Sequence, residues 1–86
     1  MTLRILTPAG ESLCAETPSV RLPVPDGSYG VMDGHEPTLL LLARGDVVYR
    51  SAGDPGECRT AIAGGVARIT GVEILVLTEP GGAGQN

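Results

Sequence analysis

Frequent chain breakers are the feature that most restricts how this chain can fold. Its 86 residues include 13 glycines and seven prolines, which divide it into segments of about eight to ten residues. Several segments alternate in polarity. Val20, Leu22 and Val24 share one face of an extended chain, whereas Arg21 and Pro23 occupy the other. No stretch supports three turns of an amphipathic helix. The pattern therefore predicts an all-β domain with almost no helix.

Nine short segments are predicted strands, at residues 3–7, 12–15, 20–24, 28–32, 38–42, 46–51, 59–63, 66–70 and 73–78. Residues 74–77 are all apolar, which predicts a central strand covered on both faces. The segment 39–42 is apolar too. We expect one of its faces to enter the core and the other, Leu39 and Leu41 or their alternates, to be left for a partner. One domain at 1–79 and a flexible Gly-rich tail at 80–86 follow.

Charge and cysteine content exclude several classes of protein. The net charge is −4, and the six cationic residues are arginines scattered along the chain, which argues against nucleic-acid binding. Cys14 and Cys58 belong to no C-x-x-C motif, so no zinc or redox motif is indicated. The longest apolar run, 39–43, is far shorter than the ~20 residues of a membrane span. We expect a soluble, cytoplasmic protein that meets a membrane only through protein contacts.

One dense polar cluster leaves three hypotheses open. Asp33, His35 and Glu36 flank Gly34, and together they could provide a general base with two carboxylates. As a metal site the cluster has few ligands, because His35 is the only histidine. The third hypothesis, a structural or interaction loop, is the one we favour. We therefore predict no catalytic residue, no metal and no cofactor.

Three segments carry a resemblance to a known family. Residues 20–37 contain the motif Gly-x-x-x-Gly-His-x-Pro, from Gly30 to Pro37. Residues 61–69 hold a Gly64-Gly65 pair within a strand pattern, and 72–78 form an apolar closing strand. In this order they resemble the N-terminal β-sandwich domain of the F-type ATP synthase epsilon subunit, over residues 2 to about 79. The resemblance implies a β-sandwich of two sheets with about ten short strands.

The resemblance also implies a role. The domain would be a non-catalytic part of the central stalk, at the cytoplasmic face of the cell membrane. It would dock on the gamma subunit and the c ring and couple ion translocation to ATP synthesis. The family's C-terminal helical hairpin, which carries inhibition, is absent from these 86 residues, so we expect no helix-driven inhibition and no tight ATP binding. The alternative is a generic β-sandwich interaction domain of unrelated ancestry.

Six residues are predicted to bind these partners. By resemblance, the 27–37 region lies nearest the c ring, and Thr7 and Leu39 line the side facing gamma. The predicted docking residues are Thr7, Ser28, Tyr29, Met32, His35 and Leu39. Two positions depart from the family. Asp33 replaces a common proline, and Ser28 stands where many members carry an acid, which puts the polar detail of the ring contact in question.

Overall fold

A computed structural model describes residues 1–80 of the chain, and all its regular structure is β. This confirms the predicted all-β class. The seven strands are β1 (Thr2–Thr7), β2 (Gly10–Glu16), β3 (Ser19–Val24), β4 (Gly27–Met32), β5 (Thr38–Arg50), β6 (Glu57–Ile69) and β7 (Glu73–Pro80). Strand β7 ends at Pro80, and the remainder of the predicted tail lies outside the described residues.

The strand count differs from nine because two pairs of predicted strands are continuous. The predicted strands at 38–42 and 46–51 both belong to β5, and those at 59–63 and 66–70 both belong to β6. The pairing of β5 with β6 continues past the presumed break, since Leu42 pairs with Gly65 and Arg44 pairs with Ala63. Glycines that suggest a turn in the sequence therefore bend two long strands without ending them.

The seven strands form one hydrogen-bonded sheet in the order β2-β1-β7-β6-β5-β3-β4. The first half of β5 and the second half of β6 join β7, β1 and β2, whereas the remaining halves join β3 and β4. We call these the β1–β7 layer and the β3–β4 layer. Because β5 and β6 pass through both, the sheet folds over on itself as a sandwich.

The corner between the layers depends on Gly64 and Gly65. Both have positive φ, at 102° and 134°. In a regular strand every second residue points to the same side. Along β6, however, Ile62 and Ala67 are both buried although they are five residues apart, so the inward side switches from even to odd positions at the corner. A β-carbon on Gly65 would lie 2.0 Å from the carbonyl oxygen of Leu77, so only glycine lets β7 approach here.

One aliphatic core fills the space between the layers. The β1–β7 layer contributes Leu3, Ile5, Ile69, Ile74 and Val76, all at most 1% exposed. The β3–β4 layer contributes a second group, Val20, Leu22, Val31 and Val47. Two tyrosines are the only aromatic residues, and both lie at the margin of this cluster. The sandwich is therefore held by branched aliphatic side chains, as the composition requires.

Strand β7 is central as predicted, but the prediction that both its faces are covered is wrong. It lies between β1 and β6 in the sheet. It is not covered on both faces, because Ile74 and Val76 are buried while Leu75 is half-buried and Leu77 is exposed. An apolar strand can leave one face open when that face has no second layer to meet.

Thr17 is a buried polar residue between β2 and β3, and it supports a stability prediction. Its hydroxyl donates to the Ser19 carbonyl at 2.8 Å and accepts from the amides of Ser19 and Arg50, each at 3.3 Å. We expect Thr17→Val to cost about 1–3 kcal/mol, because it leaves two partly buried amides without the acceptor that Thr17 provides. Thermal unfolding measures the loss. Thr38→Val is the control, since its hydroxyl bond to the Glu36 carbonyl is exposed; equal losses would contradict the assignment.

Candidate docking face

A row of apolar side chains crosses four strands on the outer side of the β1–β7 layer. In the register, Leu41 pairs with Val66, Val66 with Leu77, and Leu77 with Leu6. Paired residues project to the same side of a sheet, about 4.5–5.5 Å apart. Leu41, Val66 and Leu77 are 67%, 42% and 45% exposed. The row is a continuous stripe that faces water in the free domain.

A second row runs beside the first and carries two arginines. Leu39 pairs with Arg68, Arg68 with Leu75, and Leu75 with Arg4. Leu39 is 78% exposed, so this row also opens to solvent. The two rows form the surface that we call the apolar face, made by Leu6, Leu39, Leu41, Val66, Leu75 and Leu77 together with Arg4 and Arg68. Contiguous exposed apolar patches of this kind mark sites of protein association.

A groove continues the apolar face at the end of β1 and β7. It has a volume of about 560 Å³ and is lined by Leu6, Thr7, Pro8, Gly64, Gly65, Leu77, Thr78 and Glu79. Thr7 is fixed there by its side chain, which donates to the Gly10 carbonyl at 3.3 Å and accepts from the Ala9 amide at 3.2 Å. A side chain from a partner that covers the apolar face could enter this groove.

The outer side of the β3–β4 layer has the opposite chemistry. Arg21 lies 3.4 Å from Glu57, and Arg59 lies 3.8 Å from Glu57 and 3.7 Å from Asp46. Alternating charges on this layer neutralise one another and remain in water. The domain therefore has one apolar and one charged outer side, which favours docking from one direction.

The two arginines of the apolar face differ in their partners. Arg4 lies 3.2 Å from Glu11 and 3.6 Å from Glu73. The hydrogen bond to Glu11, followed by the charge of that carboxylate, raises the pKa of Arg4. Arg68 is exposed and has no ion pair within residues 1–80. The face thus holds one neutralised cation and one that is free to bind.

The six predicted docking residues fall into two groups. Leu39 lies on the apolar face, and Thr7 lines the adjoining groove. Ser28, Tyr29 and Met32 lie on β4, an edge strand that β3 separates from β5. Ser28 and Met32 are exposed, whereas the ring of Tyr29 packs against the core. Of the two sides of segment 39–42, the one with Leu39 and Leu41 is exposed. One contiguous surface does not contain all six predicted residues.

His35, the sixth predicted residue, is half-buried and holds the loop after β4. Its Nδ1 lies 2.7 Å from the Glu36 carbonyl, and its Nε2 lies 3.0 Å from the Tyr29 hydroxyl. Since a carbonyl only accepts, Nδ1 carries the proton, and Nε2 of the neutral ring accepts from Tyr29. The imidazole therefore braces the loop that leads from β4 into β5.

The polar cluster does not assemble as an active site. The Asp33 carboxylate turns to the amino group of Met1, 3.4 Å away, while both ring nitrogens of His35 are occupied. The groove beside the apolar face is not lined by Asp33, His35 or Glu36, and neither is a smaller groove at Arg21, Tyr49 and Glu57. Within that range no three His, Cys, Asp or Glu side chains are placed to share a metal ion. The arrangement supports a structural loop.

Sequence reasoning missed Val66, Leu77 and Arg68 as members of the exposed face. The signal available was alternation along the strand, because Leu77 lies on the opposite side of β7 from the core residues Ile74 and Val76. Alternation separates two faces without saying which one is covered.

The described part of the chain also contains no helix with the length and hydropathy of a membrane span.

Comparison with known proteins shows the family of this domain. Residues 1–80 match the family described as "ATP synthase, Delta/Epsilon chain, beta-sandwich domain". The chain is 33% identical over 81 residues to the ATP synthase epsilon chain of Paracoccus denitrificans, covering 94% of this chain and 54% of the relative. It is 30% identical over 84 residues to that of Nostoc sp., covering 98% and 61%. The chain thus spans between half and two thirds of these curated relatives.

Solved structures support the same fold. A chain of the Euglena gracilis mitochondrial ATP synthase (OSCP/F1/c-ring) superposes with a TM-score of 0.78 at 24% identity, over 88% of this chain and 48% of that one. A chain of the Tetrahymena thermophila mitochondrial ATP synthase (central stalk/c-ring) gives 0.74 at 14% identity, over 92% and 63%. On the match across residues 1–80, this chain belongs to the family of the ATP synthase delta/epsilon chain β-sandwich domain.

Proposed function

We propose that this chain is a non-catalytic central-stalk component of an ATP synthase, docked on the gamma subunit through its apolar face. The apolar face itself carries the proposal, because Leu39, Leu41, Val66 and Leu77 on three neighbouring strands are exposed to water as one contiguous patch. Aliphatic side chains at the centre of a patch, with polar residues around it, are the composition of a protein interface.

The second contact of the proposal is with the c ring. Ser28 and Met32 are exposed at the edge strand β4, and His35 braces the loop that follows it. This edge does not adjoin the apolar face within the sheet, since β3 lies between β4 and β5. A domain with separate apolar and edge surfaces can contact two partners together. The stalk and the ring would then rotate as one body at the cytoplasmic face of the membrane and couple ion translocation to ATP synthesis.

The chain itself would supply no catalytic residue to the complex. It contains no lysine or glycine-rich phosphate loop, and its charged side chains are paired with one another or isolated. The generic alternative, an interaction domain outside any synthase, predicts the same exposed surface. Co-purification with a gamma subunit from native membranes separates these two possibilities.

Charge introduced into the apolar face tests the docking. We expect Leu39→Asp and Leu41→Asp each to weaken affinity for the gamma–c-ring complex by about 5–150-fold, because a carboxylate would be buried at an apolar contact. The melting temperature of the free domain should hardly change, because both side chains are exposed. Affinity by surface immobilisation and thermal unfolding are the two measurements.

Val72→Asp is the matched control for these variants. Val72 is 72% exposed and lies in the β6–β7 turn, outside the apolar face. Its replacement should change neither affinity nor melting temperature. If Leu39→Asp and Leu41→Asp bind as well as Val72→Asp and melt at the same temperature, the apolar face is not the docking surface.

A further inference from the structure

Arg68 is the one position of the apolar face where a full charge is left without an ion pair in the described chain. It lies on β6 with Leu39 opposite it on β5 and Leu75 opposite it on β7. Val66, two residues earlier, projects to the same side. Arg68 therefore lies among Leu39, Leu75 and Val66 on one side of the sheet, and its side chain is exposed.

Neighbouring acids of this chain are not placed to neutralise Arg68. Glu73 precedes Leu75 by two residues on the same side of β7, but its carboxylate is held 3.6 Å from Arg4. Glu79 lies four residues beyond Leu75, about 13 Å along a strand. Arg4 shows the contrast, because two carboxylates neutralise it on the same face.

A partner that covers the apolar face would therefore remove this charge from water. Removing an unpaired guanidinium from water carries a large desolvation penalty. A carboxylate placed opposite it offsets that penalty through two parallel N–H···O bonds, a geometry that the planar guanidinium provides and a lysine does not. Burial of aliphatic surface alone is non-directional, so such a pair would also select one orientation of the partner.

We propose that Arg68 binds a carboxylate of the protein that docks on the apolar face, so that the partner presents an apolar surface with one Asp or Glu opposite β6. The inference rests on the proposed docking and adds the chemistry of its partner. Arg68 acts here as a specificity-determining residue: an apolar surface that lacks the acid would have to bury the guanidinium unpaired and would be rejected.

Three variants of Arg68 test the pair against the gamma–c-ring complex. Arg68→Met keeps the length and apolar stem and should weaken binding about 10–100-fold, because the carboxylate of the partner is left unpaired. Arg68→Glu should weaken it further by adding repulsion. The affinity of Arg68→Lys should fall between those of the wild type and Arg68→Met, since lysine keeps the positive charge but cannot make two parallel hydrogen bonds to one carboxylate. Raising the sodium chloride concentration should weaken the wild type more steeply than Arg68→Met.

Arg50→Met is the matched control, because Arg50 is an exposed arginine at the far end of β5 that has no ion pair within residues 1–80. It should bind like the wild type, and all variants should melt near the wild-type temperature. Unchanged or tighter binding by Arg68→Met, while Leu39→Asp still weakens docking, would overturn the carboxylate pair alone. If Leu39→Asp also binds normally, the docking proposal itself fails.

Discussion

Gly65→Ala is expected to destabilise the domain more than any other single methyl addition. The added β-carbon would lie 2.0 Å from the Leu77 carbonyl oxygen and 3.1 Å from the Thr78 α-carbon. Both are backbone atoms of β7 and cannot move aside as a side chain can. The positive φ of 134° adds backbone strain of roughly 1–3 kcal/mol, and overlap in a packed region costs a similar amount.

Relief of this clash would separate β6 from β7 at the corner. Gly65 pairs with Thr78, and the Thr78 hydroxyl donates to the Gly64 carbonyl, so both contacts would be lost together. A loss of about 3 kcal/mol lowers the melting temperature of a domain this small by roughly 12–24 °C. The groove beside the apolar face would be distorted as well, since Gly64 and Gly65 line it.

Gly30→Ala provides the matched control. Gly30 lies in the edge strand β4, has no atom within 4 Å of the added β-carbon and has no positive φ. We expect this variant to melt within a few degrees of the wild type. Calorimetry on both proteins decides the question. If Gly65→Ala and Gly30→Ala have the same melting temperature, β7 does not approach Gly65 as closely as we infer.

Ile74→Ala should produce the second large loss of stability. Ile74 is fully buried and pairs with Leu3 on β1 and Ile69 on β6, which are fully buried too. Truncation removes three buried carbon atoms and leaves a cavity that the surrounding strands cannot close, at a cost of about 2–5 kcal/mol. For a domain with a total stability of roughly 5–15 kcal/mol, this is a substantial fraction.

Leu39→Ala removes as many atoms as Ile74→Ala from the opposite side of the layer. Because Leu39 is mostly in water, the free energy of unfolding should change by no more than about 0.5 kcal/mol. Urea unfolding of both variants measures the difference. Similar losses would mean that the inward and outward sides of the β1–β7 layer have been assigned wrongly.

The strand class and the family could be predicted from the sequence because both depend on local signals. Alternation at Val20, Leu22 and Val24 requires an extended chain, and each of the three proves to belong to β3. The motif from Gly30 to Pro37 and the Gly64-Gly65 pair point to the family that the match over residues 1–80 then shows. Each signal spans fewer than ten residues, so no knowledge of distant neighbours is needed.

The candidate site was only partly predictable. The apolar character of Leu39 and Leu41 and their position on one face follow from alternation within β5. Ser28, Tyr29 and Met32 were predicted as docking residues too, but the sheet order places β5 and β3 between β6 and their strand β4. Neighbourhood between strands depends on the sheet order, which adjacent positions in the sequence do not encode.

By itself the sequence determined the extended conformation of these segments, the aliphatic nature of the core and the fact that Leu39 and Leu41 share one side of their strand. Only the tertiary structure decided that Gly64 and Gly65 bend one long strand at a corner and do not end it, and that Val66, Leu77 and Leu6 continue the stripe begun by Leu41. The reason is physical. Alternation is a property of one backbone, whereas a face is made by cross-strand register between residues that lie far apart in the chain.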